Sequence, residues 1–397
     1  MVERILYVTV QFPFGRSEAF LGAESRALAA LADVTIAALR PQCAQPVASA
    51  GLPCWGMRTL SRSVLGGAFR TLRRQPVECA AIARTLLFSR YRPAAKVKNL
   101  LVLAKGLALA DYVLSRRITA IHAHWLTTSS TAGFIAARLT KVALSISAHR
   151  FDIYADNLIA QKLACARFVR VISERGASDL RAQIAPELRD RVTVLHLGVD
   201  VPDRPASPPQ AQRPLHVAAI GNLLPVKGHA DLIDAIARVR AAGVKLSCSI
   251  IGEGPLRARL QASIERRDLA GIVTLRGFVP HAQVMAELQS GEIDVVAHPS
   301  IESGSLHEGI PVAMMEAMAF GIPCVATRTG SISELVDASC GILVEQRRPD
   351  ALASALTLLA TDAGARAALG RASRERIRAE FDAARNAGVL LGLIANA

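Results

Sequence analysis

Short β-branched or apolar runs alternate with amphipathic helical patterns along the 397 residues, and a proline-rich stretch splits that rhythm into two halves. In the second half, strands are expected at residues 215–220, 246–251, 272–275, 293–297, 323–326 and 341–344, with helices at 230–241, 255–267 and 312–319. Such alternation predicts a parallel sheet covered by helices on both faces. The first half repeats it, with strands at 5–10, 34–39, 120–124, 142–148, 168–172 and 192–195 and helices at 17–31, 128–139 and 174–183. Residues 62–116 replace a simple crossover with two or three helices. Five prolines within 201–214, without helical or strand period, read as a linker. The chain therefore reads as two similar α/β domains: 1–200 with a helical insertion at 58–117, and 215–397, whose last helix is free to pack back on the first domain. A ligand cleft is expected where the carboxyl ends of two such sheets face each other.

Composition supports two buried cores, since 51% of residues are hydrophobic and the mean hydropathy is +0.30. The richest apolar window, 99–114, is cut by Lys105 and Asp111, which argues against a membrane span. The first residues run directly into a strand pattern, which argues against a secretory leader. Seven scattered cysteines without a C-x-x-C pair argue against a disulfide framework or structural zinc and fit a reducing cytoplasm. The net charge of +14 is localised. Residues 1–205 carry 28 basic and 14 acidic side chains, and residues 206–397 carry 19 of each. Within 58–117 the balance is 13 to 2. With 4% aromatic residues and no recognition motif, nucleic acid is a poor explanation of that charge.

Four loops in the second half fall directly after expected strands. The first runs from Gly221 and Asn222 to Lys227 and Gly228, and its lysine can place an ammonium on a phosphate. The second, Gly252-Glu-Gly254-Pro255, opens a helix as an anion site would. The third, Gly277-Phe278-Val-Pro280, can offer its backbone to the edge of a base. The fourth runs from His298 through Ser303, Gly304 and Ser305 to Glu308, Gly309, Ile310 and Pro311. It leads into a helix that starts at Val312 and Ala313 and carries Glu316. Free N–H groups at that helix start favour an anion. An ionised carboxylate accepts hydrogen bonds only, so Glu308 and Glu316 suit sugar or ribose hydroxyls. The bland alternative for Glu316 is an ion pair with a core arginine. A central diphosphate between two hydroxyl-bearing ends is a nucleotide sugar.

Glu308 and Glu316, with seven residues between them, resemble the E-x₇-E motif of the retaining glycosyltransferases of family 4. Gly321-Ile-Pro-Cys-Val-Ala-Thr327, Gly330-Ser-Ile-Ser-Glu334, Gly341-Ile-Leu-Val344, the Gly221 loop and Ile250-Ile-Gly-Glu-Gly-Pro255 continue that pattern. In the first half Phe12 to Leu21, His122-Ala-His-Trp125, Ser147-Ala-His149-Arg-Phe-Asp152, Ile172-Ser-Glu174 and His196-Leu-Gly-Val-Asp200 resemble the exopolysaccharide branch, including colanic-acid-type enzymes. The resemblance implies a GT-B fold of two Rossmann-like, doubly wound parallel-sheet domains and metal-independent transfer, in keeping with the absence of a D-x-D triplet, and no cofactor beyond the donor substrate. It implies that Lys227 holds the diphosphate, Glu316 the ribose, and Glu308 the transferred sugar. It also implies that backbone N–H groups from Gly309 to Ala313 reach donor oxygens and that His149 lies beside the sugar. Gly15 stands where the family commonly has a glycine pair, and Asn222 where it usually has arginine. Arg276 and Arg150 are candidates to supply the missing cation.

The expected activity is transfer of a hexose from an NDP-sugar to an acceptor hydroxyl, with retention, the acceptor being a lipid-linked oligosaccharide of exopolysaccharide synthesis. A weakened sugar-nucleotide-binding protein and a GT-B epimerase or phosphorylase are the alternatives. The basic segment mixes Val64, Leu65, Phe69, Leu72, Leu86, Leu87 and Phe88 with Arg62, Arg70, Arg73, Arg74, Arg84, Arg90, Arg92, Lys96, Lys98 and Lys105. Its apolar faces either pack on the domain or meet an anionic membrane. The expectation is a cytoplasmic protein peripheral to the inner face of the cytoplasmic membrane.

Overall fold

The computed structural model describes residues 3–15, 18–46, 51–207, 213–303 and 307–396. Ser17, residues 208–212 of the proline-rich stretch, and Gly304 and Ser305 lie outside the described residues. The chain divides into two units, residues 1–198 with 383–397, and residues 199–382.

The first unit is built on seven parallel strands: β1 (Arg4–Thr9), β2 (Asp33–Ala38), β3 (Cys54–Gly56), β4 (Ala120–His124), β5 (Ala143–Ala148), β6 (Phe168–Val171) and β7 (Val192–Val194). Their order is β3-β2-β1-β4-β5-β6-β7. The second unit has six: β8 (Leu215–Ile220), β9 (Leu246–Ile251), β10 (Val273–Gly277), β11 (Val295–His298), β12 (Cys324–Thr327) and β13 (Ile342–Val344), in the order β10-β9-β8-β11-β12-β13. Each order reverses direction once, beside β1 in one sheet and beside β8 in the other. In doubly wound sheets, ligands bind outside the carboxyl ends of the strands at that reversal.

Both sheets are buried on two faces, which is why their strands read as continuous apolar runs. The helix at Leu21–Ala29 begins four residues later than the sequence pattern suggests. The preceding Glu18 turns inward, and its carboxylate accepts the Gln11 and Phe12 N–H groups at 2.6 and 2.7 Å. Strand β11 likewise starts late because the Asp294 side chain accepts the His216 N–H at 2.7 Å and pairs with Arg213.

The basic insertion forms three helices, Arg62–Arg74, Pro76–Phe88 and Pro93–Arg116. Val64, Ile82 and Leu86 pack into the first unit's core, and Lys105 is also buried, with its ammonium donating to the Leu39 carbonyl. Lys105 is therefore not one of the surface cations that the charge pattern indicates. Among the described residues, no helix is long and apolar enough to cross a membrane.

Candidate active site

The donor-site candidates of the second half gather at the carboxyl end of its sheet. Gly221 follows β8, and its N–H bonds the Ile251 carbonyl at 2.9 Å. Gly252 follows β9 and bonds the Gly277 carbonyl at 2.9 Å. A β-carbon at Gly252 would lie 2.0 Å from the Gly221 carbonyl oxygen, so these loops touch backbone to backbone. Phe278, just past β10, is half exposed.

Lys227 ends a short 3₁₀ turn and is followed by Gly228 at φ +64°, where a β-carbon would collide with the Pro299 carbonyl oxygen at 1.8 Å. That close approach sets Lys227 beside the loop after β11. Its Nζ lies 2.8 Å from Glu308 Oε2. Ser300 Oγ donates to the same carboxylate oxygen at 3.1 Å, and His298 Nε2 lies 3.3 Å from it. Burial pushes the Glu308 carboxyl up, but His298 and Lys227 outweigh it and hold the group well below the usual carboxylate range. Gly330, at φ +54°, comes so close to Glu308 that a β-carbon would sit 1.8 Å from the Glu308 carbonyl oxygen. The backbone of Glu308 is thereby fixed, and its side chain with it.

Ile310 is buried, Gly309 half-buried, and Pro311 precedes the helix Val312–Ala319. Met314 and Met315 donate to the Pro311 carbonyl, which leaves Val312 and Ala313 as the N-terminal donors of that helix. Glu316 lies one and a half turns in, among buried Met314, Met315 and Met318. Its carboxylate meets His281 Nε2 at 2.7 Å, so its protein partner is a histidine rather than a core arginine. Arg276 forms a two-pronged pair with Glu287 at 2.5 and 2.8 Å. That guanidinium is already matched, and it does not supply the cation missing at Asn222. Arg150 lies in the first unit, over the ring of its neighbour Phe151 at 4.4 Å.

Gly15 and His149 also belong to the first unit. Gly15 packs against Gln11, whose side-chain oxygen would lie 2.7 Å from an added β-carbon. His149 is the N-cap of the short helix Arg150–Ile153, and the Asp152 carboxylate accepts the His149 N–H at 2.7 Å. Its Nε2 lies 2.6 Å from His124 Nε2. Burial first and Arg170 second push its pKa down to about 3, so the ring is neutral.

Sequence reasoning missed what stands behind this histidine. His124 Nδ1 lies 2.9 Å from the Tyr7 hydroxyl, which donates to Glu24 at 2.6 Å. Glu24 also takes a hydrogen bond from the fully buried Arg170. Burial raises the Glu24 carboxyl, and Arg170 with Tyr7 more than offsets it, leaving it below its usual range. Two histidines in alternation on a strand, His122 and His124, were the available signal, because period two puts them on one face. Glu24, His122 and His124 bring ligating atoms within 4.8 Å of one another. His122 already engages Ser145 at 2.8 Å and Ser147 at 2.9 Å with its two nitrogens, so the trio is a hydrogen-bonded core and a poor metal cage.

Two doubly wound parallel sheets with their chemistry at the strand ends define the GT-B class of fold. Residues 202–376 match the family model for glycosyl transferases group 1. Over 216 residues the chain is 33% identical to WcaL of Escherichia coli strain K12, named as a colanic acid biosynthesis glycosyltransferase, covering 53% of this chain and 52% of the relative. It is 32% identical over 171 residues to AmsK of Erwinia amylovora, an amylovoran biosynthesis glycosyltransferase, covering 43% and 42%. The chain spans about half the length of the curated relatives it matches. Among solved structures, HepE of Anabaena in complex with UDP and glucose superposes with a TM-score of 0.73 over 100% of both chains, at 17% identity. That likeness is one of fold.

Proposed function

We propose that this protein transfers a hexose from a nucleoside diphosphate sugar to an acceptor hydroxyl with retention at the anomeric carbon. The observation that carries the reading is the Lys227–Glu308 pair at 2.8 Å beside the start of helix Val312–Ala319, with Glu316 within that helix. An ammonium and a set of helix N–H groups meet the charge that grows on a departing diphosphate, fixed in place before the reaction. The entering diphosphate competes with Glu308 for Lys227 and releases the carboxylate toward the sugar hydroxyls. Glu316, now held by His281, takes the ribose hydroxyls. The family resemblance alone assigns His149 to the transferred sugar. No nucleophile is assigned to Glu308, and retention follows from attack on the face the leaving group vacates. The reading needs no metal and no cofactor, because protein groups supply the positive charge.

The names of the relatives support exopolysaccharide synthesis, and hence a lipid-linked sugar acceptor presented at the inner face of the cytoplasmic membrane. The exposed apolar and basic surface of the insertion supports a peripheral attachment there. A donor screen by mass spectrometry tests the whole reading, using purified protein, UDP- and GDP-sugars and a lipid-linked acceptor. Formation of a glycosylated acceptor is the expected result. Tight nucleotide-sugar binding without transfer would instead favour a binding protein, a reading to which Asn222 lends weight.

A further inference from the structure

The hydrogen bonds behind His149 have only one consistent polarity, and the Glu24 end imposes it. At one end Glu24, paired with the buried Arg170, is an anion and only accepts, so the Tyr7 hydroxyl donates to it. The Tyr7 oxygen then accepts from His124 Nδ1–H at 2.9 Å, which leaves His124 Nε2 as an acceptor. His149 Nε2 therefore carries the hydrogen shared at 2.6 Å with His124. Contacts between segments 117 and 25 residues apart in sequence thus set one tautomer. Trp125, with its ring centroid 4.3 Å from that of His149, and Phe20 at 5.8 Å close in on the ring. The Trp125 indole N–H is in turn held by Glu18 at 2.6 Å.

We propose that Tyr7, His124 and Glu24 are positioning residues, a one-way hydrogen-bond chain that fixes the tautomer and orientation of His149. The proposal rests on the reading that His149 stands beside the transferred sugar. It adds that the Nε2 hydrogen of His149 is committed to His124, so His149 contributes a fixed surface to the site and passes no proton through that nitrogen.

Nitrogen-15 spectra of the histidine rings in the 397-residue chain test it without any donor. Near neutral pH, His149 is expected with its hydrogen on Nε2 and His124 with its hydrogen on Nδ1. Tyr7→Phe removes the acceptor for His124 and is expected to scramble both tautomers, leaving His216 and His229 in the second unit unchanged. His124→Gln keeps an acceptor toward His149 and a donor toward Tyr7 and is expected to hold the His149 tautomer; His124→Leu is expected to lose it. A hydrogen on His149 Nδ1 in the unaltered protein, or one tautomer common to all variants, overturns the chain. With the donor found in the screen, Tyr7→Phe should lower kcat by on the order of ten- to hundredfold while KM for that donor stays within about twofold. An unchanged kcat overturns the positioning role. A rate fall in His124→Leu that His124→Gln restores separates positioning from packing. If the tautomers are as stated and the donor screen fails, the sugar-transfer reading falls and the chain stands.

Discussion

Lys227 and Glu308 neutralise each other within the second unit, and this gives the first prediction its form. On the proposed reading, Lys227→Ala removes the cation for the diphosphate, and Glu316→Ala removes the ribose acceptor from an otherwise apolar helix. Each loses a charged hydrogen bond worth about 1.5–3 kcal/mol, so binding and transfer should fall roughly ten- to hundredfold. Calorimetric titration with UDP-glucose or GDP-mannose, whichever the protein binds, reads this directly, and near-normal affinity in both variants removes the donor-site assignment. Asn222→Arg is the companion: with Arg276 tied to Glu287, a restored guanidinium should tighten donor binding. The buried histidines predict an acid limit. Burial lowers His122 to about 4 and His149 to about 3, whereas an unfolded histidine titrates near 6.5. The unfolded chain therefore binds more protons between those values, and stability is full above about pH 6.5 and falls as the pH drops. Each ring should cost about 2 kcal/mol by about pH 5. Urea midpoints that stay level between about pH 7.5 and pH 5 would contradict the neutral, buried network.

At the scale of elements, the helix Arg62–Arg74 is clasped to Pro93–Arg116 by a single carboxylate. Asp111 accepts from Arg70 Nε and NH2, the latter at 2.7 Å, and from Arg74 at 3.0 Å. Thr71 donates to the Leu107 carbonyl at 2.8 Å, and a β-carbon at Gly67 would lie 3.2 Å from Ala108 Cα, so the two helices run close together. The arginines are half exposed, which screens the pair. Asp111→Asn should therefore cost about 1–2 kcal/mol and open residues 62–88 to proteolysis, and an unmoved urea midpoint would refute the clasp. None of this clasp was visible in the sequence, because Asp111 reads there only as a charge that interrupts an apolar run. Strands β4, β8 and β9 and the helices Glu174–Gln183 and Val312–Ala319 were legible residue for residue, since burial on both faces or along one stripe writes its period directly into the chain. Strand β3 was not, for Cys54-Trp55-Gly56 is too short to show a period. The loops that form the proposed donor site could be picked out in the sequence by residue type and spacing. Their pairings could not, because which partner Glu316 or Arg276 meets is decided by contacts between elements distant in sequence.

For the whole molecule, the outstanding feature is a basic surface that is also apolar. The helix Arg62–Arg74 has two apolar stripes. Val64, Gly67 and Thr71 face inward, while Leu65, Phe69 and Leu72, at i, i+4 and i+7, stay exposed. Val77, Leu87 and Phe88 on the next helix and Val97 and Leu101 on the third extend the exposed apolar surface, with Phe88 77% accessible. An inward stripe is accounted for by packing, but an outward stripe on a monomeric surface calls for a partner. Arg62, Arg73, Arg84, Arg90, Arg92 and Lys98 are exposed in the same segment. Each cation near an anionic leaflet contributes about 1 kcal/mol, so half of these six would supply about 3 kcal/mol before any phenyl ring enters the interface. The protein is therefore expected to co-sediment with vesicles containing phosphatidylserine or phosphatidylglycerol at low salt and to come off at high salt. Reversing Arg70 and Arg74 would confuse this test, because both hold Asp111 and their loss disturbs the helices themselves. Arg73→Glu, Arg84→Glu and Arg90→Glu together avoid the clasp and should abolish vesicle binding while leaving the unfolding midpoint unchanged. Phe69→Ser with Phe88→Ser should weaken binding without altering its salt dependence. Equal binding to neutral and anionic vesicles, or none at low salt, would overturn the electrostatic attachment and leave the outward stripe to a protein partner.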